Sequence, residues 1–209
     1  MKKIVYLLSA CVLGLGLTFT SCELEDEEQN GNNKNNNNNN NGGGDQTSDE
    51  ALPFTVNLSY TSTSPTTDKA SLDISSLTAV PASQGDLTLF WQTSFDYVIT
   101  SPDGSILKGI YEANNKTYNN NKTTTVQNLG QVSLDNYDEL SELNSMTVTS
   151  GSIPNYSKNQ VQVQNGDVIA FQKGSVKGVA QVSGLSKLSK VTAKVTLKGY
   201  VNSSSSSAK

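Results

Sequence analysis

Apolar and polar residues alternate one by one near both ends of the segment 51–202. The alternation covers residues 54–60, FTVNLSY, and residues 191–198, VTAKVTLK. A period of two puts every second side chain on one face of an extended strand, so each stretch is predicted to be a β-strand with one buried face. The segment has no regular succession of strand and helix patterns. We therefore predict an all-β fold, an antiparallel sandwich or a partly open barrel of about six to nine strands with at most one short helix.

The interior of the segment adds further elements. More strands are predicted at residues 87–91, 95–100, 168–171 and 178–182. The sequence SPDG at residues 101–104 favours a turn, and we expect a strand over residues 105–111 to return from it as a hairpin. One short helix is predicted over residues 136–144, where Asp135 can cap the first turn.

The N-terminus has the pattern of a cleaved export signal. Lys2 and Lys3 precede an apolar run over residues 4–19, and the sequence Phe-Thr-Ser-Cys then ends at Cys22. The run is shorter than the roughly 20 apolar residues of a transmembrane helix. We interpret residues 1–21 as a lipoprotein signal peptide, because the cleavage site resembles a lipobox and would make Cys22 the lipidated first residue. The alternative is an ordinary secretory signal with an incidental cysteine.

Residues 22–50 are predicted to be an acidic, Asn- and Gly-rich flexible tether. Five of the six residues 23–28 are acidic, and residues 35–41 are all asparagine. Such a low-complexity sequence cannot bury enough apolar surface to fold. The Ser-rich residues 203–209 are likewise expected to be a disordered tail. Residues 51–202 remain as one globular domain, and no intrachain disulfide can stabilise it because Cys22 is the only cysteine after cleavage.

The residue types that are present restrict the chemistry. The chain has no His, and all 15 basic residues are lysine. This composition excludes Ser-His-Asp and Cys-His nucleophile systems, His-based metal sites, and arginine recognition of phosphate or guanine. The net charge of −4 makes nucleic acid an unexpected partner. We predict no enzymatic activity, no metal and no cofactor, with a hydrolase that uses two carboxylates as the alternative.

Aromatic residues supply the candidate ligand contacts. Trp91, Tyr118 and Tyr156 are candidate ligand-binding residues, because aromatic rings can stack on sugars while Asn-rich loops supply hydrogen bonds. Tyr118 and Tyr156 lie in polar loops and are expected to be exposed. Trp91 lies on a predicted strand, so the alternative to a ligand contact is that its ring is part of the core.

Two charged regions each have two interpretations. Four acidic residues could bind Ca²⁺ through oxygen ligands or could simply form a helix cap and a solvated face: Asp135, Asp138, Glu139 and Glu142. Residues 158–209 carry eight lysines and one acidic residue, Asp167. These lysines could attract an anionic partner, or they could alternate with apolar residues on strands and face water.

Several motifs carry a resemblance to lipoproteins of Bacteroidota. Residues 165–171, NGDVIAF, and the following residues 177–182, KGVAQV, are similar to a strand–turn–strand module at the C-terminus of an uncharacterised surface lipoprotein family. The stretches DLTLFW at 86–91, SPD at 101–103 and NKT at 121–123 running into Leu129-Gly130 resemble the same family. The acidic cluster at 23–28 resembles the surface-export signal of such proteins. The resemblance implies a tethered β-domain on the outer membrane and no particular chemistry.

A more distant resemblance is to haem-binding lipoproteins of the same bacteria, which are tethered all-β proteins with a similar terminal hairpin. Those proteins bind iron through His or Met side chains. Here Met146 is the only methionine outside the signal and His is absent, which argues against haem.

The expected protein is therefore a lipoprotein that is attached through Cys22 to the outer membrane and faces the cell exterior. Its expected function is that of a non-catalytic binding module for a glycan or another envelope component. The alternative is a structural or adhesion protein whose partner is another protein of the outer membrane.

Overall fold

The computed structural model describes residues 50–202 except residues 95, 157 and 190. The predicted signal peptide, Cys22, residues 22–49 of the tether and the tail lie outside the described residues. The described part contains ten strands, two α-helices and one 3-10 helix: β1 (Leu52–Thr61), β2 (Ser71–Asp73), β3 (Thr78–Val80), β4 (Leu87–Gln92), β5 (Asp96–Thr100), α1 (Ser105–Ala113), β6 (Thr125–Gly130), the 3-10 helix (Leu134–Tyr137), α2 (Leu140–Ser145), β7 (Gln160–Gln162), β8 (Val168–Lys173), β9 (Val176–Lys187) and β10 (Thr192–Val201).

The strands form two five-stranded sheets, and every strand pairing within them is antiparallel. The first sheet has the order β1-β10-β9-β8-β6 and the second has the order β3-β2-β4-β5-β7. The predicted all-β class is confirmed, and the two sheets form a sandwich. The alternation of residues 54–60 lies on β1, and that of residues 191–198 lies on β10 except for Val191, which precedes the strand and is exposed. The two strands pair along their whole length from Leu52–Val201 to Thr61–Thr192.

The main core contains residues of both sheets. In β1 the apolar residues of the alternating pattern are all buried, from Phe54 to Tyr60, while Thr55 and Asn57 are exposed. The Phe54 ring packs edge-on against Phe171 of β8, with 6.3 Å between the ring centroids. Burial of these side chains is the main favourable contribution to folding, since no disulfide is present among the described residues.

The first sheet also has a smaller apolar cluster outside the main core. Along β8, Ile169 and Phe171 belong to the main core, whereas Val168 and Ala170 belong to the second cluster. Leu134 of the 3-10 helix and Leu143 of α2 also belong to this cluster. Since successive side chains of a strand point to opposite faces, residues 131–149 cover part of the outer face of the first sheet.

Backbone hydrogen bonds join the two sheets on both sides. On one side Ser59 of β1 exchanges two backbone bonds with Lys69, at 2.9 and 3.2 Å, and the next residue, Ala70, accepts the Leu89 N–H of β4 at 2.9 Å. On the other side Gly151 donates to Val126 of β6 at 2.7 Å and accepts from Gln160 of β7 at 3.3 Å. These links occupy part of the backbone that the edge strands would otherwise leave unpaired.

The strand predicted over residues 105–111 is wrong, because these residues form α1. Ile106, Leu107 and Tyr111 are its buried residues, and Ile110 packs beside them. These positions recur at helical spacing, whereas a strand would have placed the adjacent residues 106 and 107 on opposite faces.

The helix predicted over residues 136–144 is divided into the 3-10 helix and α2, so the described part has two α-helices rather than one. Ser133 and Glu139 occupy the two N-cap positions instead of Asp135. The strand predicted at residues 95–100 is β5, which begins at Asp96, while residue 95 lies outside the described residues.

Candidate functional site

Trp91 lies on β4 and is part of the main core. It pairs across the sheet with Tyr97 of β5, and its side chain is 9% exposed. The ammonium group of Lys187 lies over the ring, 3.9 Å from its centroid, in cation–π geometry. Lys187 therefore covers one face of the ring, and the burial of Trp91 agrees with the alternative that it is a core residue.

Tyr118 is buried, so the prediction that it is exposed is wrong. Its ring stacks on Tyr111 of α1 at 5.3 Å between centroids, and its hydroxyl donates to the carbonyl of Ala82 at 3.3 Å. Asn120 fixes the same loop, because its amide nitrogen donates to the carbonyls of Ala82 and Gly85, both at 2.9 Å. The polar loop is thus folded back onto residues 82–85, a contact that loop composition does not reveal.

A buried carboxylate lies beside this pair of rings. Asp68 is 7% exposed and accepts hydrogen bonds from the Tyr111 hydroxyl at 2.8 Å and the Ala82 N–H at 3.0 Å. Burial raises the pKa of Asp68 above its usual range, and these hydrogen bonds offset the shift only in part. Burial and the neighbouring Asp68 also raise the pKa of Tyr111. Because both groups are buried, the pair serves packing and hydrogen bonding in the core.

Tyr156 is exposed, as predicted, with 43% of its surface accessible. It lies in the loop between Ser152 and Lys158, which pair in an isolated bridge, and its N–H donates to the Ile153 carbonyl at 3.0 Å. Since Trp91 and Tyr118 belong to the core and Tyr156 to this loop, the three predicted residues do not form one binding platform.

A polar pocket lies where the end of β7 approaches β8. It has a volume of about 330 Å³, and five residues line it: Asp96, Gln162, Val163, Gln164 and Asp167. The carboxylate of Asp167 is 4% exposed and accepts hydrogen bonds from the Asn128 amide at 2.8 Å and the Gln164 N–H at 3.1 Å. The same amide nitrogen of Asn128 donates to the Gln162 carbonyl at 2.9 Å. The buried Asp167 carboxylate is therefore held by the side chain of Asn128 on β6 and by the backbone of Gln164, two residues after β7.

The sequence did not indicate this pocket. In the sequence, Asp167 stands out only as the one acidic residue of 158–209 and as part of the motif NGDVIAF. The preceding Gly166 has a φ of +92°, which allows the turn before β8. Asp96 adopts a left-handed conformation with a φ of +56° at the start of β5. Two acidic residues from distant parts of the chain meet only because β7 pairs with β5 while β8 pairs with β6.

The acidic residues predicted as a Ca²⁺ candidate line a separate open pocket of about 410 Å³, together with Asn136. Within residues 50–202 as described, no group of three acidic or other metal-ligating side chains is arranged to hold a metal ion. The alternative of a solvated acidic face fits these residues, because Asp135, Asp138 and Glu139 are exposed.

No protein-family model, no curated protein and no solved structure matches this chain. A search of the described helices for a membrane-spanning segment finds none that is long and apolar enough.

Proposed function

We propose that this protein is a cell-envelope lipoprotein whose β-sandwich is a non-catalytic binding module for a glycan or a similar hydroxyl-rich envelope component. The sequence supports the anchor: a signal-like N-terminus ends at Cys22, and an acidic, Asn-rich segment separates that residue from β1. In this proposal the lipid on Cys22 holds the protein on the outer membrane, and the tether lets the sandwich reach outward from the cell.

The observation that carries the binding proposal is the polar pocket at Asp167, whose lining includes the exposed carboxylate of Asp96 and the exposed amide side chain of Gln164. The Asp96 carboxylate can accept hydrogen bonds from two neighbouring hydroxyl groups, and the amide side chain of Gln164 can both donate and accept. Because the buried Asp167 carboxylate already accepts the Gln164 N–H, a ligand would not have to order the backbone that carries the Gln164 side chain. An array of carboxylate and amides in a pocket of this size suits one or two sugar rings.

The binding test is a calorimetric titration of the chain from residue 22 onward against a panel of neutral oligosaccharides. We expect saturable binding of one glycan class, which Gln164→Ala weakens about tenfold by removing one hydrogen-bonding side chain. This substitution keeps the backbone N–H that supports Asp167. Asp138→Asn is the matched control, since Asp138 is an exposed residue of the separate acidic pocket.

The outcomes of this titration separate the alternatives. If Gln164→Ala leaves glycan binding unchanged, the pocket at Asp167 is not the binding site. Appearance of hydrolysis products would establish the carboxylate-only hydrolase instead, with Asp96 and Asp167 as the pair to replace. A blank across the panel would favour the adhesion protein, and cross-linking on whole cells would then identify the protein partner.

The anchor has its own test. We expect Cys22→Ala to move the protein from the membrane fraction to the soluble fraction and to abolish incorporation of a labelled fatty acid. Ser21→Ala keeps a small residue before the cleavage site and is the matched control. A Cys22→Ala protein that stays with the membrane would refute the lipoprotein interpretation.

A further inference from the structure

The outer face of the first sheet is divided into a covered half and an open half. In the covered half, Val179 of β9 and the partly buried Tyr200 of β10 belong to the apolar cluster beneath residues 131–149. The open half consists of three cross-strand rows from β1, β10 and β9, the first of which is extended by Lys69 through its isolated bridge to Ser59. We call these rows the lysine face. Its rows are Lys69–Ser59–Lys194, Asn57–Thr196–Ser183 and Thr55–Lys198–Gln181.

The register places the lysines on one surface. Residues directly opposite each other in antiparallel strands have their side chains on the same face, and so do residues four apart along one strand. Ser59 pairs with Lys194 on one side and with Lys69 on the other. Lys198 follows Lys194 by four residues on β10, so all three lysines share the outer face.

The lysine face is positive and lacks compensating charge. Lys69, Lys194 and Lys198 are all exposed, and the three rows include no acidic residue. Among the described residues, none of these three lysines is within 4.0 Å of an acidic group, whereas Lys173 and Lys122 both contact Asp86. Unpaired positive charge on an exposed surface attracts an anionic partner.

Hydroxyl and amide groups lie between the lysines. The Thr196 hydroxyl donates to the Asn57 amide oxygen at 2.7 Å, which leaves the Asn57 amide nitrogen able to donate elsewhere. From strand geometry, Lys69 and Lys194 are separated by about 10 Å across the sheet and Lys194 and Lys198 by about 13 Å along β10. The face thus repeats positive charges at intervals, with hydrogen-bonding groups between them.

We propose that the lysine face binds an anionic polysaccharide, with the lysines contacting carboxylate or sulfate groups and the Thr and Asn side chains contacting hydroxyls. The inference builds on the proposed function, since it assigns a second glycan class to a second surface. The three rows contain no apolar side chain that could enter a lipid bilayer, which favours a glycan over an anionic membrane. The exposed apolar residues Leu188 and Val191 lie instead at the turn between β9 and β10.

The test measures binding of the chain from residue 22 onward to polygalacturonate and dextran sulfate, with neutral dextran as the uncharged probe. The triple variant Lys69→Gln, Lys194→Gln, Lys198→Gln should bind the two polyanions about tenfold more weakly. The matched control replaces three exposed lysines elsewhere, Lys108, Lys116 and Lys158, by Gln and so removes the same total charge. We expect this control to bind within about twofold of the unmodified chain, and all binding to weaken as salt is raised.

Three results would overturn the proposal. These are no polyanion binding at low salt, an equal loss in both triple variants, or binding to vesicles with anionic lipid but not to either polyanion. Gln164→Ala separates this proposal from the previous one: it should lower binding of the neutral oligosaccharide and leave polyanion binding unchanged. The proposal for the pocket at Asp167 and the proposal for the lysine face can therefore be refuted independently of each other.

Discussion

The charge of Asp86 holds the two sheets together at one end of the sandwich. Asp86 precedes β4 of the second sheet and its side chain is completely buried. Its Oδ1 atom lies 2.7 Å from the ammonium group of Lys173, at the end of β8 in the first sheet, and 3.3 Å from that of Lys122. Its Oδ2 atom accepts the Ile74 N–H at 2.9 Å. Asp86→Asn removes the charge and keeps the shape and an acceptor oxygen.

The expected loss of stability on Asp86→Asn follows from the burial of the carboxylate and the exposure of its two lysine partners. Removing one partner of a fully buried ion pair costs about 3–5 kcal/mol. Here Lys173 and Lys122 are 35% and 43% exposed, so water can solvate them after the substitution and the cost is lower. We expect Asp86→Asn to lower the free energy of unfolding by about 2 kcal/mol, which corresponds to a fall in Tm of about 4–8 °C for a domain of this size.

The assay is urea denaturation followed by the fluorescence of Trp91, the only tryptophan, whose buried ring under Lys187 becomes exposed on unfolding. Glu112→Gln is the control, because it also removes one carboxylate from an ion pair, but from an exposed pair with Lys108 whose side chains are 60% and 55% accessible. That variant should change stability by less than about 0.5 kcal/mol. If the two substitutions cost the same, the reasoning from burial is refuted.

Two further predictions concern the core. Gly199→Ala should lower the free energy of unfolding by at least about 3 kcal/mol in the same assay, because a Cβ atom there would lie 1.9 Å from the Val179 carbonyl oxygen. Gly109→Ala in α1, where an added Cβ meets no atom of another part of the chain within 4 Å, should instead stabilise by about 0.5–1 kcal/mol. Similar effects of the two substitutions would contradict the close approach of β9 and β10. The raised pKa of Asp68 favours its protonated form in the folded state, so its contribution to stability is complete below the unfolded pKa of about 3.9 and is lost as pH rises through the folded value. The stability of the unmodified chain relative to Asp68→Asn should therefore fall as pH rises through this range, and a constant difference would contradict the raised pKa.

Local sequence patterns were sufficient to predict most strands, but they were insufficient to predict how the loops pack. The alternation in β1 and β10 specifies which residues face the core, and the structure agrees at every position from Phe54 to Tyr60. The segment that became α1 has apolar residues at 106, 107, 110 and 111, which is a helical pattern that the preceding turn signal outweighed in the prediction. Tyr118 was misassigned because exposure was inferred from its polar neighbours, whereas the loop is held down by Asn120 on the carbonyls of a distant loop.

Local sequence patterns are enough to specify the all-β class and the buried face of the long strands. The chain also carries the signal-like N-terminus and Cys22 on which the proposed anchor rests. These features depend on residues that are close together in the chain, where periodicity and composition act directly. Four other features depend on the folded chain: the order of strands, the covered half of the first sheet, the pocket at Asp167 and the lysine face. Each of these requires residues that are far apart in sequence to meet, and such contacts arise from the register of paired strands and from side-chain packing between sheets. Lys69, Lys194 and Lys198 share a surface only because Ser59 pairs with residues from both directions along the chain.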